Sequence, residues 1–247
     1  MTFTLLARDR AAGLLGAVTA SRSLAVGNAV LAIDPTVGVV ASQAWTNRAL
    51  RGSMLDALAA GESPDAVVGR VAEWDDAPEF RQTAALDLTG RTGAWVGDLT
   101  SPWTGQRHGA DYVTVGNLLT GPEVLDAIAD SFERSAPEPG SPEHEQTTAI
   151  AVFARRLLVA LHAGQSAGGD ARGRQSAAII VATKQERRIH PPELAIDLRV
   201  DDHTHPVDEL DRLLELRIQD LHEALISSSS VDAEPEDSRR GERSTQA

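Results

Sequence analysis

The sequence predicts an α+β fold: a four-layer αββα sandwich of antiparallel sheets with helices on the outer faces. Three observations predict it. The chain opens with four strand-like runs, two helical segments follow in tandem, and the second half repeats the order of strands before helices. Strict alternation of strand and helix would indicate a parallel, doubly wound sheet, and the paired order favours antiparallel pairing.

Taken in order, residues 2–7 and 14–19 are β-prone runs separated by Arg8-Asp9-Arg10 and Gly13, a hairpin pattern with a slightly long loop. Residues 25–33 and 37–43 read as the third and fourth strands, divided at Asp34-Pro35 because proline cannot donate to a ladder. Residues 47–61 carry Leu50, Met54, Leu55 and Leu58 at helical spacing, and Ser63-Pro64-Asp65 opens a second helix backed by Val67, Val68 and Val71. Residues 81–88 and 92–96 flank Thr89-Gly90-Arg91 as a second hairpin, and 112–119 add a strand.

A helix begins at Gly121-Pro122-Glu123, and residues 135–141 break the chain with proline and glycine. The next helix runs through Ile150, Phe153, Leu157, Leu158 and Leu161, whose spacing gives one apolar stripe. Strands at 176–182 and 193–200 precede a last amphipathic helix from Val207 to Leu225. Residues 1–226 read as one domain. Residues 227–247, a serine run followed by mixed charges, lack the apolar content to offset the entropy of ordering and are expected to be a disordered tail.

Composition removes several classes of function. With no cysteine among 247 residues there is no disulfide, no thiolate metal site and no cysteine nucleophile. A formal net charge of −13 disfavours a nucleic-acid surface, which needs clustered cations to release counterions. The longest mainly apolar runs, 24–33 and 176–182, fall short of the roughly 20 residues that cross a bilayer, and no signal-peptide pattern opens the chain. The expectation is a cytoplasmic protein without membrane or nucleic-acid partners.

Several segments carry a more specific likeness: Met1-Thr2-Phe3-Thr4 with Ala7-Arg8-Asp9, Ala20-Ser21-Arg22, Ser42-Gln43-Ala44 with Asn47, and Gly116-Asn117-Leu118-Leu119 with Gly121-Pro122-Glu123. Residues 167–178, rich in glycine around Asp170, Arg172 and Gln175, and Asp197 to His203 complete the set in the same order. Together they resemble the bacterial and archaeal family known as domain of unknown function 1028, from Met1 to about the end of the last helix. The resemblance implies a fold like that of the N-terminal-nucleophile (Ntn) hydrolases, in agreement with the layer order reached from the pattern. Fold alone does not settle chemistry.

In the Ntn plan the first residue of the mature chain is the nucleophile and its own α-amino group is the base. Thr2 fits once Met1 is removed, and an α-amino group with a pKa near 7.7–8.0 is already close to what a general base needs. Asn117, beside Gly116 at a strand end, is the candidate oxyanion donor through its side-chain amide and an exposed backbone N–H. Arg22 or Arg172 could tune the amine and hold a carboxylate or acyl oxygen, oriented by Asp9 or Asp170, with Gln43 and Gln175 completing the candidate substrate-binding set.

No cofactor or metal is expected. The stretch 168–176 lacks Walker or dinucleotide spacing and precedes a strand, and its plain alternative is a tight turn capped by Asp170. The cluster Asp201-Asp202-His203-Thr204-His205 could suit a divalent ion, but a strand-to-helix turn uses the same residues. Trp103 reads as a loop residue that either packs or lines a pocket. The functional expectation is hydrolysis of a small amide or lactam through Thr2. Its rival is an inert Ntn-like protein that binds a ligand or partner, with homodimerisation through a sheet edge or helix face.

Overall fold

Strand β1 (Thr2–Asp9) alternates in the way a strand buried on both faces must, sending Phe3, Leu5 and Ala7 one way and Thr2, Thr4 and Leu6 the other. It lies near the middle of a six-stranded sheet between β2 (Leu14–Ser21) and β8 (Tyr112–Asn117). Beyond them come β9 (Ser176–Thr183), β10 (Ile196–Val200) and, on the opposite edge, β7 (Gly105–Gly109), giving the order β10-β9-β2-β1-β8-β7. A four-stranded sheet has the order β3-β4-β5-β6, from β3 (Leu31–Asp34), β4 (Gly38–Ala44), β5 (Arg81–Asp87) and β6 (Thr92–Val96). Every named pairing in both sheets is antiparallel. The computed structural model describes residues 2–136 and 146–231, so the expected break at 135–141 lies mostly outside the described residues.

Three apolar clusters hold these elements together. Phe3, Leu5, Val18 and Ile179 pack against α5 (Glu123–Arg134), α6 (Gln146–Ser166) and α7 (Pro206–Val231). Leu6, Leu15, Val39, Ala84 and Val115 meet between the two sheets. Val40 and Ala85, on the other face of the smaller sheet, pack on α2 (Ala49–Ala59), α3 (Pro64–Gly69) and α4 (Val71–Trp74). The close seat of α6 depends on Gly16 of β2: a Cβ there would fall 2.7 Å from Leu157 Cδ1 and 2.9 Å from Phe153 Cε1.

By length and composition, Thr147–Ser166 is apolar enough to cross a bilayer, with mean hydropathy 1.2, which the short contiguous runs at 24–33 and 176–182 do not disclose. Its Phe153, Leu157, Leu158 and Leu161 are instead buried against the larger sheet and the neighbouring helices. Helix α7 continues to Val231, past the expected start of the tail at residue 227, and residues 232–247 lie outside the described residues.

Two elements differ from expectation. Residues 25–33 are not one strand but a short helix, α1 (Val26–Val30), followed by β3. Ala25 adopts a left-handed conformation (φ 55°), its N–H donates to the Asp201 carbonyl, and the Val26 N–H donates to Ser176 Oγ, which turns the chain from one sheet towards the other. Strand β7 was not expected, because Gly105-Gln-Arg-His-Gly109 has no apolar residue and pairs only along one edge with β8.

A buried ion pair fixes the loop after β4. Asp75 accepts hydrogen bonds from Arg81 Nε (2.8 Å) and Nη2 (3.1 Å), Asn47 Nδ2 (2.7 Å) and the Ala77 N–H (2.8 Å), and Arg81 also donates to the Trp45 carbonyl. These donors, Arg81 foremost, hold the Asp75 carboxyl down to about 2. A folded-state pKa below the unfolded value means the stabilisation is complete above about pH 4 and is lost as pH falls towards 2. Asp75→Asn is therefore expected to cost about 2 kcal/mol at neutral pH and almost nothing near pH 2, measured by urea denaturation at both values.

Candidate active site

At the end where β1 begins and β2, β4 and β8 finish, the side chains between the sheets change from apolar to polar. Thr2 and Thr4 of β1, Thr19 and Ser21 of β2, Gln43 of β4, Gln82 of β5 and Asn117 of β8 are all buried. The ladders dictate who meets whom: Thr2 lies opposite Asn117, Thr4 opposite Thr19, and Gln43 opposite Gln82.

Each of these groups finds a partner, as buried polar groups must. Thr2 Oγ1 donates to Ser21 Oγ (3.3 Å), and the Thr4 hydroxyl donates to Gln43 Oε1 (2.7 Å) and lies 2.8 Å from Thr19 Oγ1. Gln43 Nε2 donates to the Thr2 carbonyl (3.2 Å) and to Gln82 Oε1 (2.8 Å). Gln82 Oε1 also accepts from Asn117 Nδ2 (3.0 Å), and Gln82 Nε2 donates to the carbonyls of Gly105 and Gly116, both at 3.0 Å. A continuous polar chain thus runs from the first strand across the smaller sheet and back to Asn117.

The glycine-rich stretch closes the neighbouring side. Gly168 (φ 123°) and Gly169 (φ 58°) take positive φ, which the chain needs to leave α6 and return alongside Leu119. The buried Asp170 then accepts from the Arg22 N–H (2.6 Å), the Arg172 N–H (2.9 Å) and the Arg172 guanidinium (3.2 Å). The Gln175 N–H donates to the Ser21 carbonyl (3.1 Å). Asp170 therefore ties the end of β2 to the segment that precedes β9. Asp170→Ala removes the buried acceptor that the Arg22 and Arg172 N–H groups share and is expected to cost about 3 kcal/mol in chemical denaturation.

Three non-glycine residues with left-handed backbone stand at these strand ends: Ala44 (φ 70°) is the last residue of β4, while Leu118 (φ 54°) and Ala25 (φ 55°) follow β8 and β2. Such conformations cost about 1 kcal/mol or more each and persist only where the surroundings fix them, commonly around functional sites. Beside this end lies a cleft of about 380 Å³ lined by Arg22, Arg174, Gln175, Asp202, His203 and Thr204.

Of the residues expected from sequence, Thr2, Asn117 and Gln43 meet in the polar layer, and Arg22, Asp170, Arg172 and Gln175 adjoin it. Asn117 is 1% exposed and aims its amide at Gln82, so its backbone N–H is not open to solvent as expected. Asp9 does not belong here. It stands at the far end of β1, more than roughly 20 Å along the strand from Thr2, accepting from the Ala11 and Ala12 N–H groups and pairing with Arg156 at 3.7 Å.

Ser21, Gln82 and Arg174 belong to this region and were not given a role from sequence. The available signal was the run of small polar residues at every second position, Thr2 and Thr4 or Thr19 and Ser21. Among the described residues no group of three or more acidic or histidine side chains converges on a metal-sized site. In the 201–205 turn, His203 Nδ1 accepts from the His205 N–H (3.0 Å) and Asp202 accepts from Gln175 Nε2 (3.1 Å). Trp103 packs against the core cluster beneath the larger sheet.

Two solved structures resemble the chain to different degrees. Protein SPO2555 from Silicibacter pomeroyi, whose description carries the family name DUF1028, is 31% identical over 87% of this chain and 88% of that one, with a TM-score of 0.72. Anbu (ancestral beta-subunit) from Yersinia bercovieri covers 92% of this chain and 96% of that one at 12% identity, but its TM-score of 0.35 is too loose a superposition to identify a fold. No curated protein matches the chain. The model of the family of unknown function DUF1028 matches residues 2–210, and the chain belongs to that family.

Proposed function

We propose that the protein is an Ntn-type hydrolase of a small amide or lactam, built on a four-layer αββα sandwich, with Thr2 as nucleophile. The observation that carries this reading is the position of Thr2: at the head of a central strand, between the sheets, with its hydroxyl on Ser21 and its backbone opposite Asn117. Cleavage of the Met1–Thr2 bond would place an α-amino group and a hydroxyl on the same residue at the edge of the polar layer.

The chemistry then needs no histidine. Thr2 Oγ1 attacks the amide carbonyl carbon while its proton passes to the Thr2 α-amino nitrogen. The resulting oxyanion is received by the second hydrogen of Asn117 Nδ2, the first being held by Gln82 Oε1. The carbon–nitrogen bond breaks as the ammonium returns its proton to the leaving amine. Water, deprotonated by the same amine, hydrolyses the ester and restores the Thr2 hydroxyl. Ser21 and Gln43 act as positioning residues, the first for the hydroxyl and the second for the Thr2 backbone.

The burial of Thr2, 5% exposed, supports the rival reading in which the polar layer only fixes how the two sheets meet. Intact-mass measurement separates the two. The hydrolase reading expects a chain that begins at Thr2, and expects an uncleavable extension before Thr2 to remove turnover of small N-acyl amino acids and lactams. A chain that retains Met1 favours the inert protein.

A further inference from the structure

We infer that the cleft beside the polar layer is a carboxylate-binding subsite, with Arg22 and Arg174 as the pair that receives a monoanionic carboxylate of the ligand. This rests on the hydrolase reading only for its role as the handle of a substrate; the binding stands or falls separately. The chain is acidic overall, at −13, and most of its arginines are held by carboxylates: Arg8 by Asp111, Arg81 by Asp75, Arg155 by Glu215, Arg188 by Asp34 and Asp56. Against that background, among the described residues the guanidinium groups of Arg22 and Arg174 have neither a carboxylate within 4 Å nor a hydrogen-bond acceptor, and both line the same cleft of about 380 Å³.

Position adds to charge. Arg22 follows Ser21, the residue that bonds the Thr2 hydroxyl, and its backbone is pinned by Asp170 at 2.6 Å, so the base of the side chain is fixed. Arg174 precedes Gln175, whose N–H is bonded to the Ser21 carbonyl and whose carbonyl accepts from the His203 N–H at 2.8 Å. Both cations are therefore anchored through backbone to the strand end that carries the Thr2 contact. A planar carboxylate suits guanidinium donors, which bind it in a bidentate manner. Asp202, on the same cleft and held by Gln175 Nε2 at 3.1 Å, places a negative charge nearby that opposes a dianion more than a monoanion. That selects a carboxylate over a phosphate.

The test uses the full chain with Thr2→Ala, so that no probe is consumed, and isothermal titration with N-acetylglycine, its neutral counterpart N-acetylglycinamide, and inorganic phosphate. The expected result is binding of N-acetylglycine roughly tenfold or more tighter than the neutral amide, with phosphate weaker. The preference is expected to disappear in the R22Q/R174Q double variant, with circular dichroism confirming that it folds, and to persist in R155Q, which removes a cation that pairs with Glu215 between two outer helices. Equal affinity for the charged and neutral probes, no binding of N-acetylglycine, a preference unchanged by R22Q/R174Q, or tighter binding of phosphate overturns the assignment. A carboxylate preference in a protein that never turns over an amide defeats the hydrolase reading and leaves the subsite standing. Turnover of amides without regard to charge does the reverse.

Discussion

Replacing Thr2 with alanine is expected to lower amide turnover by roughly 10⁴-fold or more, since in the proposed mechanism it removes the atom that forms the acyl intermediate. Thr2→Ser keeps an oxygen at the same position and is expected to retain a measurable part of the activity. Neither change should disturb the fold greatly, because the Thr2 hydroxyl makes one long hydrogen bond, 3.3 Å, to Ser21. The measurement is kcat/KM for an N-acyl amino acid in wild type and both variants, alongside thermal unfolding of each. A Thr2→Ala protein that turns over substrate at the wild-type rate removes Thr2 from the chemistry.

The largest effect on stability is expected at Gln82. Its side chain is fully buried and joins five groups: it accepts from Gln43 and Asn117, and donates to the carbonyls of Gly105 and Gly116 and towards Thr104 Oγ1 at 3.4 Å. Gln82→Met preserves volume but takes away the acceptor of the Asn117 amide and of one hydrogen of the Gln43 amide and the side-chain donor to the Gly105 carbonyl, while the Gly116 carbonyl keeps Thr104 Oγ1 at 3.1 Å. Each buried unpaired group costs about 1–3 kcal/mol, so a loss of about 3 kcal/mol or more is expected, visible as a fall in Tm on the order of 10 °C. If Asn117 is the oxyanion donor, the same variant also lowers kcat more than it raises KM, because the amide loses the acceptor that orients it. An unchanged Tm would mean that the polar chain is not under the constraint its hydrogen bonds describe.

The fold was legible where burial imposes a period. Strand β1 and its partner β2, the hairpin of β5 and β6, and the stripe of Phe153, Leu157 and Leu161 each bury one face or both, and each left that period in the sequence. Strand β7 left none, because its side chains face solvent at an edge and its existence depends on the β8 backbone. The segment at 25–33 is apolar for a different reason than strand formation: it packs between the sheets while crossing between them, and hydrophobicity alone does not distinguish the two.

The site was legible in part for a related reason. Alternating Thr and Ser at strand ends reads as an outward face, and only the second sheet, which brings Gln43 and Gln82 over Thr2 and Thr4, makes it an interior one. Asp9 lies only seven residues from Thr2 in sequence, but along an extended strand those residues are a long way in space. The carboxylate pair that includes Arg174 depends on which of many arginines remain unpaired, and ion pairs such as Arg188 with Asp34 join residues far apart in the chain.

The most direct test is covalent labelling. An aliphatic β-lactone opens on an activated hydroxyl and leaves its acyl group as an ester or, after transfer, an amide. Treatment of the native protein followed by peptide mass spectrometry is predicted to place a single adduct on a peptide that begins at Thr2, with none in Thr2→Ala. An adduct confined to other residues, or an unlabelled peptide that still begins with Met1, would contradict the account.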